Sequence, residues 1–313
     1  MAREESITEI FNIEHNQYET ERAGYIAIVG GGLMGRGIAQ TAATVGIDVL
    51  LIERDEEMAE KCKQKLSETL DKEIERWALT KSEKRAILAR VKLSTEFTDV
   101  AECDLVIEAI EEDFPSKKAI FKQLDKVCNP NTIFVSNTAT LSLTKLAEAT
   151  SRPDKIIGMH FLNPVSKVPL VEIVRALKTN DDTFKKIKKF AEDLGKTVVE
   201  VFEYPGFVTT RVILPMLNEA MQVLLEGIAT AEGIDTAIRL GYSLNVGPLE
   251  MADTMGLDEV LTWLDTLYHE LGAPQYRASA ILRRKVREGN LGKKTGQGFF
   301  KYDESGKRIE NQK

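Results

Sequence analysis

The sequence predicts an α/β protein in which a doubly wound, mostly parallel sheet is followed by an all-helical C-terminal domain. Short apolar runs alternate with longer amphipathic segments from Tyr25 to Val201, as in a parallel sheet covered by helices on both faces. Pro205 and Gly206 then interrupt the chain, and the segments beyond them have the apolar spacing of helices. A chain of 313 residues is long enough for two such domains.

The individual elements follow from these patterns. The predicted strands are Tyr25–Val29, Asp48–Ile52, Leu105–Ala109, Thr132–Ser136, Lys155–His160, Leu170–Val174 and Thr197–Val201. The helices between them are predicted at Leu33–Val45, Glu56–Arg76, Ser116–Val127 and Ser142–Ala149. The helices of the second domain are predicted at Val208–Glu226, Ala231–Leu240 and Leu257–Leu271. We therefore expect an N-terminal extension at 1–23, an α/β domain at 24–205 and a helical domain at 206–313.

The first 23 residues are polar and lack the apolar core of a signal peptide. Their composition favours a disordered tail, and docking against the body of the protein is the alternative.

The composition excludes several classes of protein. Arginine and lysine number 42 against 49 acidic residues, and the net charge of −7 argues against nucleic-acid binding. No apolar run is long enough to predict a membrane span. The three cysteines, at 62, 103 and 128, form neither a disulfide framework nor a metal-binding pattern. We expect a cytoplasmic protein without a bound metal.

A glycine-rich turn follows the first predicted strand. Gly30, Gly32 and Gly35 fit the pattern G-x-G-x-x-G, with Leu33 and Met34 between the last two glycines. The first glycine permits a tight turn, the second lets a pyrophosphate approach the backbone, and the third lets the helix pack close to the sheet. Because the motif also opens a helix, whose free amides attract phosphate, it predicts a dinucleotide site.

Glu53 follows the second predicted strand, where a carboxylate can accept hydrogen bonds from both ribose hydroxyls. A carboxylate would also repel a 2′-phosphate, so NAD is favoured over NADP as the cofactor. The neighbouring Arg54 leaves an alternative open, because a guanidinium turned inward would attract that phosphate.

One of the three histidines stands at a strand end. His160 ends a predicted strand, whereas His15 lies in the polar extension and His269 near the end of a C-terminal helix. Strand ends of doubly wound sheets face the ligand crevice, and a neutral imidazole there can accept a hydroxyl proton. Glu172 lies within the next apolar strand, where a carboxylate is costly unless it is paired. Pairing with His160 would orient the ring; a structural histidine and a solvent-facing glutamate on an edge strand are the alternatives.

Several segments together resemble the short-chain L-3-hydroxyacyl-CoA dehydrogenases, including the 3-hydroxybutyryl-CoA dehydrogenases. The resemblance runs from Tyr25 to Tyr302 and is carried by residues 30–35, 106–109, 136–138, 160–164, Glu172, 205–207 and 292–299. It implies a Rossmann-like NAD-binding domain at 24–205, a substrate and dimerisation domain at 206–313, an acyl-CoA substrate and a homodimer. It also implies NAD as cofactor and a role in fatty acid and butanoate metabolism. It also implies that His160 is the general acid–base and Glu172 its orienting partner.

The resemblance implies further binding residues. It assigns Glu112, Lys117 and Asn137 to the cofactor pocket. It assigns Asn163, Thr140, Thr210, Thr69 and Arg76 to the substrate, the last two at the nucleotide end of CoA. Lysines at 61, 63, 65 and 72 lie near those two residues in the sequence, although a solvated helix face explains them equally well.

Two residues depart from the family pattern and leave other functions open. Ala139 replaces a serine that the family uses to hydrogen-bond the reacting oxygen, and Thr210 replaces an asparagine. Thr140, Ser136 or a water molecule would have to compensate for the lost hydroxyl. The alternatives are a catalytically weakened homologue that binds NAD or acyl-CoA, and a dehydrogenase of another small hydroxy acid or sugar acid.

Overall fold

The computed structural model describes residues 26–309. The chain divides into two compact units, of which the first ends at Tyr204 and the second begins at Pro205. The predicted extension at 1–23 lies outside the described residues. Among residues 26–309, no helix is long and apolar enough to cross a membrane.

An eight-stranded sheet forms the centre of the first unit and confirms the predicted fold class. Its strands, numbered along the chain, are β1 Ile26–Val29, β2 Val49–Ile52, β3 Val91–Ser94, β4 Leu105–Glu108, β5 Ile133–Ser136, β6 Ile156–Phe161, β7 Leu170–Arg175 and β8 Thr197–Phe202. They are arranged in the order β3-β2-β1-β4-β5-β6-β7-β8. The strands from β3 to β6 are parallel, whereas β7 runs antiparallel to β6 and β8 runs parallel to β7.

Helices pack around this sheet. They are α1 Leu33–Thr44, α2 Glu56–Glu75, α3 Lys81–Arg90, α4 Phe114–Val127, α5 Leu143–Ala147 and α6 Asp181–Asp193. All residues of β1, β4 and β5 are buried, because the sheet is covered on both faces. The near-continuous apolar runs that predicted these strands are a consequence of that double burial.

Three elements of the first unit were not predicted from the sequence. Strand β3 is short, only partly buried and lies at the sheet edge, so its apolar signal is weak. Helix α3 buries Ile87 alone, although the capping box between Thr80 and Glu83 marks its start. Helix α6 follows the cap residue Asn180, whose side chain accepts a hydrogen bond from the Thr183 amide. For α3 and α6, the capping residues are therefore a local signal of where the helix starts.

The second unit consists of helices α7 Thr209–Leu225, α8 Ala231–Gly241, α9 Pro248–Met255, α10 Leu257–Leu271 and α11 Ala280–Arg287. Their apolar faces form one core that includes Leu217, Leu249 and Leu264, each fully buried. Two of these helices, α9 and α11, were not predicted, because each has only eight residues.

A buried carboxylate fixes the closing segment of the second unit. Asp253 accepts hydrogen bonds from the backbone amides of Phe299 and Phe300 and from the Tyr302 hydroxyl. Burial raises the pKa of Asp253, and these donors act in the opposite direction. Gly298 leaves the space that this carboxylate needs, since a Cβ there would lie 1.9 Å from an Asp253 oxygen.

Candidate active site

The glycine-rich turn joins β1 to α1 and can be built only with glycine at two of its positions. Gly30 has a φ of +100°, a left-handed conformation that side chains rarely tolerate. A Cβ on Gly35 would lie 1.8 Å from the carbonyl oxygen of Gly30, so the first turn of α1 packs directly against the turn. The backbone therefore excludes a side chain at both positions, as the predicted tight turn and the predicted close packing of the helix require.

The glycine-rich turn leaves part of its backbone open. A Cβ on Gly32 would meet nothing within 4 Å, so the backbone is open to an approaching group at this point. Gly32 is also the N-cap of α1 and has no side chain of its own to occupy the amides of the first turn. Leu33 is exposed there, whereas Met34 packs against the core. Open backbone and unoccupied helix amides are the features that a pyrophosphate requires.

Glu53 stands directly after β2 and faces the glycine-rich turn. Its Oε1 accepts a hydrogen bond from the amide of Gly31 at 2.8 Å, and the residue is 9% exposed. Arg54 lies differently, because its side chain is 77% exposed and its Nε pairs with Asp55 Oδ2 at 3.2 Å. The carboxylate therefore lies where the ribose of a dinucleotide is expected, and the Arg54 guanidinium is paired in solvent.

His160 and Glu172 form a buried pair on adjacent strands. The antiparallel register of β6 and β7 sets the two residues directly opposite each other. His160 Nδ1 and Glu172 Oε2 are 2.6 Å apart, and the residues are 6% and 1% exposed. The alternative of a solvent-facing Glu172 on an edge strand is wrong, because β8 forms that edge. The strand of His160 also continues one residue further than predicted, to Phe161.

Asn137 links the end of β5 to β6, the strand that carries His160. Its side-chain Oδ1 accepts a hydrogen bond from the amide of Phe161 at 3.1 Å. Asn163 follows β6 as an exposed residue and is joined to Pro164 by a cis peptide bond.

Glu112 organises the turn that follows β5. Its Oε1 accepts hydrogen bonds from the hydroxyls of Thr138 and Thr140 and from the amides of Ala139 and Thr140. Lys117 Nζ lies 3.7 Å from the other carboxylate oxygen of Glu112. The structure thus brings together three of the sequence-predicted residues: Glu112, Lys117 and Thr140.

The sequence analysis missed the role of Glu108, the last residue of β4. Its carboxylate is fully buried and binds Lys117 Nζ at 2.6 Å and the Ser136 hydroxyl at 2.6 Å. Burial raises the pKa of Glu108, and the charge and hydrogen bonds of Lys117 act in the opposite direction. The signal was present, because a carboxylate within an apolar strand must be paired, as was argued for Glu172.

Three further predicted residues lie on two other helices or beside them. Thr69 and Arg76 are exposed on and just after α2, and the Thr69 hydroxyl donates to the Lys65 carbonyl of its own helix. Thr210 is buried in the first turn of α7, within the second unit.

The glycine-rich turn, Glu53 and His160 all lie at or near the carboxyl ends of parallel strands and therefore at one edge of the sheet. Ligands of doubly wound sheets bind at that edge. The glycine-rich turn thus lies at the same end of the strands as His160. The His160 ring is paired with the Glu172 carboxylate and can accept and return a proton.

Two family models together cover the described units. Residues 25–204 match the 3-hydroxyacyl-CoA dehydrogenase NAD-binding domain, and residues 206–302 match the 3-hydroxyacyl-CoA dehydrogenase C-terminal domain. A probable 3-hydroxybutyryl-CoA dehydrogenase of Bacillus subtilis is 43% identical over 89% of this chain and 97% of its own length. The human mitochondrial hydroxyacyl-coenzyme A dehydrogenase is 39% identical over 89% of this chain and 91% of its own. The crystal structure of (S)-3-hydroxybutyryl-CoA dehydrogenase from Ralstonia eutropha superposes with a TM-score of 0.82 at 42% identity, covering 90% of this chain and 99% of the other.

Proposed function

The chain belongs to the 3-hydroxyacyl-CoA dehydrogenase family of NAD-dependent oxidoreductases, and we propose that His160 is its general acid–base and Glu172 the partner that orients the ring. The reaction is the reversible oxidation of a 3-hydroxyacyl-CoA to a 3-oxoacyl-CoA; we take the (S) isomer as substrate. The main observation in support of the proposal is the buried pair of His160 and Glu172, in which His160 lies near the carboxyl end of β6. NAD held by the glycine-rich turn and Glu53 would supply the hydride acceptor for oxidation and the hydride donor for reduction.

The geometry of the pair assigns the two ring nitrogens different tasks. Glu172 binds Nδ1, and this hydrogen bond holds a proton on that nitrogen, so Nε2 carries the lone pair of the neutral ring. Nε2 then takes the hydroxyl proton of the substrate, and the positive charge that forms on the ring lies beside the Glu172 carboxylate. Since the pair is buried, that charge is poorly screened by solvent and the carboxylate stabilises it strongly.

The substrate class is tested with purified protein and NAD. We expect turnover of (S)-3-hydroxybutyryl-CoA and little turnover of the (R) thioester or of free 3-hydroxybutyrate. Equal rates with the free acid would contradict an acyl-CoA substrate and would favour the alternative of a small hydroxy acid.

A catalytically weakened homologue is the second candidate function, and Ala139 favours it. The two protein hydroxyls that were expected to compensate are engaged, because Ser136 donates to Glu108 and Thr140 donates to Glu112. A serine hydroxyl at position 139 would lie in the turn after β5, which Glu112 holds by hydrogen bonds to Thr138, Ala139 and Thr140.

We expect Ala139→Ser to raise kcat on acetoacetyl-CoA by about tenfold, because a hydrogen bond to developing charge is worth roughly 1.5–3 kcal/mol. Steady-state kinetics measure this, and Ala149→Ser, at a position remote in sequence from the turn, is the control. An unchanged or lowered kcat would show that a missing hydroxyl does not limit the reaction.

The cofactor preference follows from Glu53. We expect kcat/KM with NADH to exceed that with NADPH by more than about tenfold, a difference of about 1.4 kcal/mol, because a carboxylate repels the 2′-phosphate. Initial rates with both cofactors and one thioester measure it. Equal efficiency would contradict the role of Glu53.

We propose that the protein is a cytoplasmic homodimer that pairs through its second unit. Val212 and Ile228 there are 69% and 68% exposed, and two-fold dimers are the commonest oligomers. Light scattering is expected to give about twice the chain mass of 35.0 kDa at micromolar concentration. A species of the single-chain mass would refute the dimer.

A further inference from the structure

Arg36 places a positive charge beside the glycine-rich turn. It lies in the first turn of α1, directly after Gly35, and its side chain is partly buried. Its Nη1 donates to the carbonyl oxygen of Gly31 at 2.6 Å, which holds the guanidinium against the glycine-rich turn. Burial lowers the pKa of Arg36, whereas the negative charges near it, among them Glu53, raise it.

Gly31 links this cation to Glu53. The amide of Gly31 donates to Glu53 and its carbonyl accepts from Arg36, so the carboxylate and the guanidinium are held by the two polar groups of one residue. The surroundings are tightly packed, since a Cβ on Gly31 would lie 2.6 Å from Glu53 Oε1 and 2.5 Å from Cys62 Sγ. Arg36 is thus anchored beside Glu53, whereas Arg54 is exposed and paired with Asp55.

We propose that Arg36 is a latent ligand for a 2′-phosphate and that the Glu53 carboxylate alone keeps the site selective for NAD. The proposal rests on the NAD-dependent function proposed above. A guanidinium presents several donors in the geometry that a phosphate accepts, and an arginine near the ribose-binding acidic residue is the usual partner of a 2′-phosphate. With the Glu53 carboxylate removed, the guanidinium loses one of the negative charges near it, and Glu68 remains. Its anchor on the Gly31 carbonyl stays in place.

The experiment measures binding of adenine nucleotides by calorimetry. AMP and adenosine 2′,5′-bisphosphate differ only by the 2′-phosphate, so the ratio of their dissociation constants reports that group directly. Glu53→Ser is expected to shift this ratio toward the bisphosphate by at least about tenfold, as one charge-assisted contact would. Glu53→Gln keeps the shape of the side chain and is expected to shift the ratio in the same direction. NADH and NADPH, measured in parallel, are expected to shift likewise.

Variants of the two arginines identify which of them binds the 2′-phosphate. In the Glu53→Ser background, Arg36→Leu is expected to abolish the gain for the bisphosphate, and Arg54→Leu to leave it in place. Circular dichroism and thermal unfolding check that each variant is folded. A gain that survives Arg36→Leu, a gain lost with Arg54→Leu, or no gain in either Glu53 variant overturns the proposal. Since neither fragment can undergo turnover, this pattern would support the inference even if the assay with 3-hydroxyacyl-CoA failed.

Discussion

Replacement of His160 by glutamine is expected to lower kcat on acetoacetyl-CoA by about 10²–10⁴-fold, the usual contribution of general acid–base catalysis. Glutamine can still form hydrogen bonds at this buried position, but it cannot take or return a proton at neutral pH. The glycine-rich turn and Glu53 belong to other strand ends, so the affinity for NADH is expected to stay close to that of the wild type. Steady-state kinetics and a fluorescence titration with NADH measure the two effects separately.

His269→Gln is the matched control for this variant. Its side chain is 86% exposed on α10 in the second unit, and we expect kcat to be unchanged. Near-normal turnover of a folded His160→Gln protein that binds NADH tightly would show that the base lies elsewhere in the chain.

Glu172→Gln is expected to lower kcat by about 10- to 100-fold, because a lost charge-assisted hydrogen bond costs roughly 1.5–3 kcal/mol. The amide keeps the size of the side chain and can still contact the ring, but it cannot balance the positive charge that forms on His160. KM for the thioester is expected to change less than kcat, since the charge arises during the reaction. The rate and KM are measured across the neutral pH range.

Glu200→Gln provides the comparison for Glu172. Glu200 lies on the neighbouring edge strand β8 and pairs with Arg175 at 3.1 Å, away from the His160 ring. Its replacement is expected to leave kcat unchanged. A Glu172→Gln protein with wild-type kcat would contradict the orienting role and leave His160 to act without a partner.

The backbone geometry of the glycine-rich turn was accessible from the sequence, for reasons that are local. The roles of Gly30 and Gly35 depend on backbone contacts within a few residues of each other, so a short motif contains the information. Glu53 is also defined locally, as the residue that follows a buried strand. The fold class was accessible because double burial of a parallel sheet leaves near-continuous apolar runs in the sequence.

The buried pair of His160 and Glu172 was accessible from the sequence only in part. The cost of burying Glu172 predicts that it has a partner, and the family resemblance implies that the partner is His160. The antiparallel register of β6 and β7, which sets the two residues opposite each other, depends on strand direction and pairing. Apolar patterns within a strand carry no information on either property.

Arg36 and Glu108 were not assigned roles for a related reason. The partners of Glu108 include Lys117 on a helix and Ser136 on another strand, so its network exists only in the folded unit. The anchor of Arg36 is a backbone carbonyl, which no side-chain pattern reveals.

Reduction of acetoacetyl-CoA by NADH tests most directly whether His160 is the general acid–base of this chain. Loss of NADH absorbance and chromatography of the thioester are followed together with purified protein. We expect the amounts of NADH consumed and of 3-hydroxybutyryl-CoA formed to be equal over many turnovers, and both rates to fall by about 10²–10⁴-fold in the His160→Gln protein. A wild-type chain that binds NADH and the thioester but consumes neither would contradict this role and identify a binding protein.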